Sequence, residues 1–171
     1  MKKTKTQKII LSAMFLALGM TLPLLTSQIK EIGDTLLPMH LPVLLCGAIC
    51  GWSYGGAVGL ALPFLRSVTF GMPPIYPNAV WMALELATYG LVIGAIYRKA
   101  KKKSIAKIYI ALVSAMIAGR IVWGVSKWLL LGMAGKAFTL STFIAGGFID
   151  ALPGIIIQLI LIPIIIKNFQ A

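Results

Sequence analysis

Apolar residues in this chain run in long stretches broken by short polar segments, and most stretches are long enough to be membrane-crossing helices. A helix rises about 1.5 Å per residue, so about 20 residues cross a hydrocarbon core of about 30 Å. The pattern predicts six helical spans. The first covers Lys8 to Leu25 and is followed by a polar segment, Thr26 to His40. The second, Leu41 to Gly51, is short, and the third runs from Tyr54 to Phe70. Gly71-Met72-Pro73-Pro74-Ile75-Tyr76-Pro77 then breaks the helix by its prolines. The fourth covers Asn78 to Tyr97 and the fifth Ile108 to Leu131. A turn at Gly132 to Thr139 leads to the sixth, Leu140 to Ile166, with kinks expected at Pro153 and Pro163. The expected fold class is an all-α integral membrane protein, with residues 1–171 forming one domain.

Composition supports lipid as the solvent. Hydrophobic residues make up 59% of the 171, against roughly 45–50% in soluble domains, and mean hydropathy is +0.93. Lys2, Lys3, Lys5 and Lys8 precede an apolar run that ends without a small-residue cleavage pattern. It reads as a first span and not as a cleaved signal.

The formal net charge of +12 raises the question of nucleic acid. The distribution answers it. Four lysines precede the first span, and Arg98, Lys99, Lys101, Lys102, Lys103 and Lys107 crowd one loop. Basic residues gather on the cytoplasmic side of membrane proteins, so this bias implies topology and anionic headgroups, with no nucleic-acid partner. Both segments are then inside. Six spans return the C-terminus inside as well, in agreement with Lys167. Segments 26–40, 71–77 and 132–139 are expected outside.

Five ionisable residues interrupt the spans: Arg66, Glu85, Arg120, Lys127 and Asp150. A charge in hydrocarbon costs several kcal/mol and persists where it pairs, faces a wet cavity or holds something polar. Counting along the helices places all five in the outer half or near the midplane. Three are cations and two are anions. If Glu85 and Asp150 each pair with a cation, one positive charge remains for an anionic solute. The competing reading is that Arg120 and Asp150 pair only to lock the bundle, and that Lys127 reaches outward to water.

The candidate binding residues are His40, Asn78, Glu85, Arg120, Trp123, Lys127 and Asp150. His40 stands where the first outer loop meets the second span, to contact a solute or to cap the helix. Asn78 is equally placed to cap the fourth. Trp81, Trp123 and Trp128 suit interfacial anchoring, with Trp123 deep enough to wall a pocket. Cys46 and Cys50 lie one helical turn apart in an apolar run. With a single histidine in the chain they supply too few ligands for a metal, so packing is expected and no metal or cofactor.

Small residues recur at four-residue spacing: Ala13 and Ala17, Gly51, Gly55 and Gly59, Gly90 and Gly94. Such spacing lets helix backbones approach closely. No internal repeat stands out, which argues against an inverted-repeat transporter. Gly135-Lys136 is followed by Ala137, so there is no phosphate-binding loop, and neither a nucleophile elbow nor a zinc-protease helix motif occurs. An enzyme is not expected, and powered transport would need a partner protein.

The chain resembles the substrate-binding S component of energy-coupling factor (ECF) vitamin transporters in its size, its six spans and its long first outer loop. Ala13-Met14-Phe15-Leu16-Ala17 is similar to the small-residue patch with which S components dock on the transmembrane coupling subunit. Leu37-Pro38-Met39-His40-Leu41-Pro42, Pro63-Phe64-Leu65-Arg66-Ser67, Phe70-Gly71-Met72-Pro73-Pro74 and Glu85-Leu86-Ala87-Thr88-Tyr89-Gly90 are similar to a pantothenate-type subgroup. Folate, riboflavin and thiamine-precursor carriers share the fold. The resemblance implies a multi-pass protein of the bacterial plasma membrane that captures a vitamin from outside. It then topples against the coupling subunit, and two cytoplasmic ATPases drive release. It implies a site between the outer halves of the fourth to sixth spans, where Glu85, Arg120, Trp123, Lys127 and Asp150 fall. A stand-alone secondary transporter and a non-transport scaffold are the rival readings.

Overall fold

Glycines and proline-rich breaks punctuate a chain that is helical nearly throughout. The computed structural model describes residues 3–26, 37–99 and 104–169. Helix α1 is Lys5–Thr26, α2 is His40–Cys50, α3 is Trp52–Phe70 and α4 is Val80–Lys99. Helix α5 is Ile105–Met133, α6 is the short Leu140–Ile144 and α7 is Leu152–Asn168. No strand occurs among the described residues. Most of the expected first outer loop and Lys101, Lys102 and Lys103 lie outside them.

Among the described residues, α1, α5 and the segment Ile75–Lys99 are each long and apolar enough to cross a membrane. The bent pair Leu140–Ile149 and Leu152–Asn168 makes a fourth when the two parts are taken together as one span. Helix α2 has 11 residues, about 16 Å at the usual rise, which is half a hydrocarbon core. Helix α3 has 19 residues but carries Arg66 and several small residues that lower its hydropathy.

The sixth span differs from expectation. It is not one helix from Leu140 to Ile166 kinked at Pro153 and Pro163. A wide turn at Ala145–Ile149 follows α6, and the two helical parts meet at 41° around Asp150 and Ala151. Pro153 sits at the start of α7, where a missing N–H costs nothing, and Pro163 is accommodated inside it. Gly146 and Gly147, next to each other and poor helix formers, lie in the wide helical turn just before the bend.

Glycine contacts hold α2, α3 and α4 together. A Cβ on Gly90 would lie 2.2 Å from the Gly55 carbonyl carbon, and one on Gly47 would lie 2.5 Å from the Gly90 oxygen. A Cβ on Gly94 would lie 2.4 Å from the Trp52 nitrogen. The backbones therefore touch, and dispersion replaces the hydrophobic drive that lipid does not supply. Gly51 has a different task. Its φ of 112° makes the reversal between α2 and α3.

Helix α4 is central, packing on α2, α3 and α5, while α1 covers α2 and α3, and α7 covers α2 and α5. Val43, Leu44, Leu62, Leu86, Ile93 and Leu112 fill the core. Cys46 and Cys50 are buried free thiols, and Cys46 Sγ donates to Ser12 Oγ at 3.5 Å, joining α2 to α1. The outward faces are apolar too. Tyr109, Val113, Ile117, Ile121 and Val125 form an exposed stripe on α5 at four-residue spacing. On α7, Ile156, Ile160 and Ile164 repeat the pattern. Helices apolar on every side belong in lipid.

A buried carboxylate, guanidinium and amide at the helix junction

Glu85 lies on α4 one and a half turns from its start and is 2% exposed. Its Oε1 accepts from Arg120 Nη1 on α5 at 3.0 Å. The same oxygen lies 3.3 Å from His40 Nε2, at the first residue of α2. That approach is close but not aligned as a hydrogen bond, and neither ring nitrogen of His40 has a hydrogen-bond partner among the described residues. Tyr89, one turn along α4 from Glu85, meets the His40 ring edge-on with centroids 5.1 Å apart. Gly119 leaves room for the Tyr89 ring, which an added Cβ would approach to 2.8 Å.

Arg120 is 4% exposed, and its Nε and Nη2 have no hydrogen-bond partner among the described residues. Gln158 on α7 is 2% exposed, and its Nε2 is in the same condition. Both residues line one cavity of about 190 Å³. Leu37, Tyr89, Met116, Phe148, Ile155 and Leu159 supply much of its apolar wall. Leu37 has a left-handed backbone with φ 50°, a conformation that costs a branched residue free energy and recurs around ligand sites.

Above this centre stands an aromatic cluster. Lys127 Nζ is 4.6 Å from the centroid of Trp123 and 5.4 Å from those of Trp81 and Phe138. Trp123 packs on Phe143, and Phe143 on Phe148, which carries the cluster to the cavity wall. A half-buried ammonium surrounded by ring faces gains cation–π attraction and does not have to reach outward.

The sequence candidates therefore separate. His40, Glu85 and Arg120 meet at one oxygen, with Lys127 and Trp123 beside them. Asp150 does not join them. It is exposed at the break between α6 and α7, and no ion pair to it occurs among the described residues. Arg120 pairs with Glu85 and not with Asp150, so the competing reading of an Arg120–Asp150 lock is not what the described residues form. Asn78 is half-buried inside the turn Ile75–Ala79 that precedes α4. Trp128 is exposed, as an interfacial anchor would be. Arg66 stays out of the site. Its Nη1 donates to the Met20 carbonyl oxygen at 2.7 Å and its guanidinium lies over Phe70, tying α3 to α1. Gln158 and Tyr89 were not foreseen. Gln158 has a clear signal, a lone amide inside Ile155-Ile156-Ile157-Gln158-Leu159-Ile160-Leu161.

Ala13 and Ala17 are exposed along α1 beside Met14 and Leu18.

A family model for the substrate-specific component of ECF transporters matches residues 7–166. The chain belongs to that family. Such components are membrane-embedded transport proteins and not enzymes; they bind a small molecule and work with a coupling subunit and ATPases. No match is found among curated proteins, and none among solved structures.

Proposed function

We propose that this S component captures a water-soluble vitamin, pantothenate before others, from outside a bacterial cell and delivers it to a coupling subunit driven by two ATPases. The observation that carries the reading is the buried Glu85–Arg120 pair beside an apolar cavity, with two guanidinium nitrogens left unpartnered. An ion pair whose only task is to hold helices together gains by satisfying every N–H it buries. This one keeps donors in reserve. The cavity is also small, about 190 Å³, below the roughly 300–1,000 Å³ of drug-sized sites. Pantothenate suits it better than folate or riboflavin.

In this reading the chain is one domain of six spans, with α2 and α3 as the second and third. Both termini and the basic segment around Arg98 and Lys107 face the cytoplasm. His40, Glu85 and the cavity then lie in the outer half, open to solute from outside. Arg120 takes the vitamin directly. Glu85 and His40 stand behind Arg120, and Lys127 with Trp123 closes the outer side. Ala13 and Ala17 present α1 to the coupling subunit, and no cofactor or metal is required.

The test is calorimetric titration of the purified chain with a panel of vitamins, followed by uptake in cells with and without the coupling subunit and ATPases. Tight binding of pantothenate and ATPase-dependent uptake are expected. Absence of binding by every vitamin, or uptake without the ATPases, refutes the reading.

A further inference from the structure

We infer that the cavity between α4, α5 and α7 is a carboxylate-reading subsite whose selectivity is set jointly by Arg120 and Gln158. The inference rests on the proposed carrier function and specifies the chemistry it selects. Three unpartnered atoms are the ground for it: Arg120 Nε, Arg120 Nη2 and Gln158 Nε2. All three are donors. Both residues line the same cavity and are more than nine-tenths buried. The one carboxylate near Arg120 is already engaged, since Glu85 Oε1 accepts from Nη1.

A buried donor left unsatisfied is costly, so the matching ligand brings acceptors and no donors to this end. A carboxylate does that. Two oxygens suit the paired N–H groups on the Nε and Nη2 edge of a guanidinium, which binds carboxylates in a two-pronged way. Gln158 from the facing helix can donate to either oxygen. Charge agrees. Glu85 and Arg120 cancel and Lys127 is the remaining nearby cation, so a monoanion neutralises the group and a cationic vitamin adds to its excess. The rest of the wall, Met116, Ile155 and Leu159, takes an apolar body. The ligand class is a small amphipathic monocarboxylate.

Gln158 is the specificity determinant because it lies on a helix that the Glu85–Arg120 pair does not. An alcohol or primary amide in place of the acid would bring an O–H or N–H toward three donors. The site rejects that by leaving them unpaired.

The experiment compares pantothenate with pantothenol, its uncharged alcohol analogue, by calorimetry on the wild-type chain and on Gln158→Leu, Gln158→Glu and Arg120→Lys. Riboflavin and thiamine are titrated alongside. The expected result is pantothenol binding about 100-fold weaker than the acid, the loss of a charge-assisted pair of hydrogen bonds. Gln158→Leu narrows that ratio by about tenfold while thermal unfolding confirms a folded chain. Gln158→Glu, which sets a carboxylate against the ligand's own, abolishes acid binding. Arg120→Lys keeps the charge but loses the two-pronged geometry and weakens acid binding at least tenfold. Equal affinity for acid and alcohol, or preferred binding of riboflavin or thiamine, overturns the subsite and leaves the carrier function standing. Failure of all four compounds to bind overturns the subsite, and the carrier function falls with it only when the full vitamin panel also fails.

Discussion

Glu85 and Arg120 are joined at 3.0 Å across α4 and α5 in a part of the bundle almost closed to solvent. Breaking such a pair leaves a bare charge and costs about 3–5 kcal/mol. Glu85→Ala and Arg120→Ala are therefore each expected to lower the unfolding temperature in detergent sharply. Replacing both, Glu85→Leu with Arg120→Met, removes the unpaired charge. The double variant should recover most of the stability and none of the vitamin binding. If stability stays as low as in the single variants, the pair does more for folding than charge balance.

Lys127 makes a second, separable contribution. Its Nζ lies 4.6 Å from the Trp123 ring. Lys127→Met keeps the length of the side chain but removes the cation–π attraction, worth about 0.5–2 kcal/mol. The variant should fold, lose stability in that range and shift the tryptophan emission, since both Trp81 and Trp123 lose a cation from their faces. Unchanged emission would mean that the ammonium does not sit over the rings.

The glycine contacts predict an unequal response to the same change. Gly90→Ala places a methyl group against the Gly55 backbone, which has no flexible end to move aside. Overpacking of this kind costs about 1–3 kcal/mol or more. Gly132→Ala, where nothing lies within 4 Å, is the control. It should be neutral or slightly stabilising, because alanine favours a helix by about 1 kcal/mol over glycine. Thermal unfolding of the two variants side by side decides the point.

Much of this arrangement was legible in the sequence, for definable reasons. Helix positions follow from apolar run length and from Gly and Pro breaks, and most boundaries fall within about three residues of expectation. The positions of Glu85 and Arg120 well inside their helices follow from counting turns. Their partnership does not, because counting gives height along a helix and not which neighbour it faces. The same counting assumes an unbroken sixth helix and so does not show the bend of 41° at which Asp150 stands exposed. Gln158 is legible by the same physics as the ionisable groups, since a lone amide in hydrocarbon also needs a partner. Arg66 and the Met20 carbonyl show the converse. A charge inside an apolar helix can simply tie that helix to its neighbour.

Arg66 provides a test of that distinction. Its Nη1 donates to a main-chain oxygen of α1 at 2.7 Å, and Arg66 is not among the residues that line the cavity. Arg66→Ala should cost about 1–3 kcal/mol, in line with a charged hydrogen bond lost at a buried position. The vitamin affinity of the folded fraction should not change. Asp150→Asn is the complementary case. Because Asp150 is exposed at the α6–α7 break and pairs with no described residue, the substitution should leave both unfolding temperature and affinity within error. A tenfold loss of affinity in Asp150→Asn would instead mean that the break straightens on loading and carries the carboxylate inward. Titration of both variants, each normalised to its folded fraction, separates a strut between helices from a group that meets the solute.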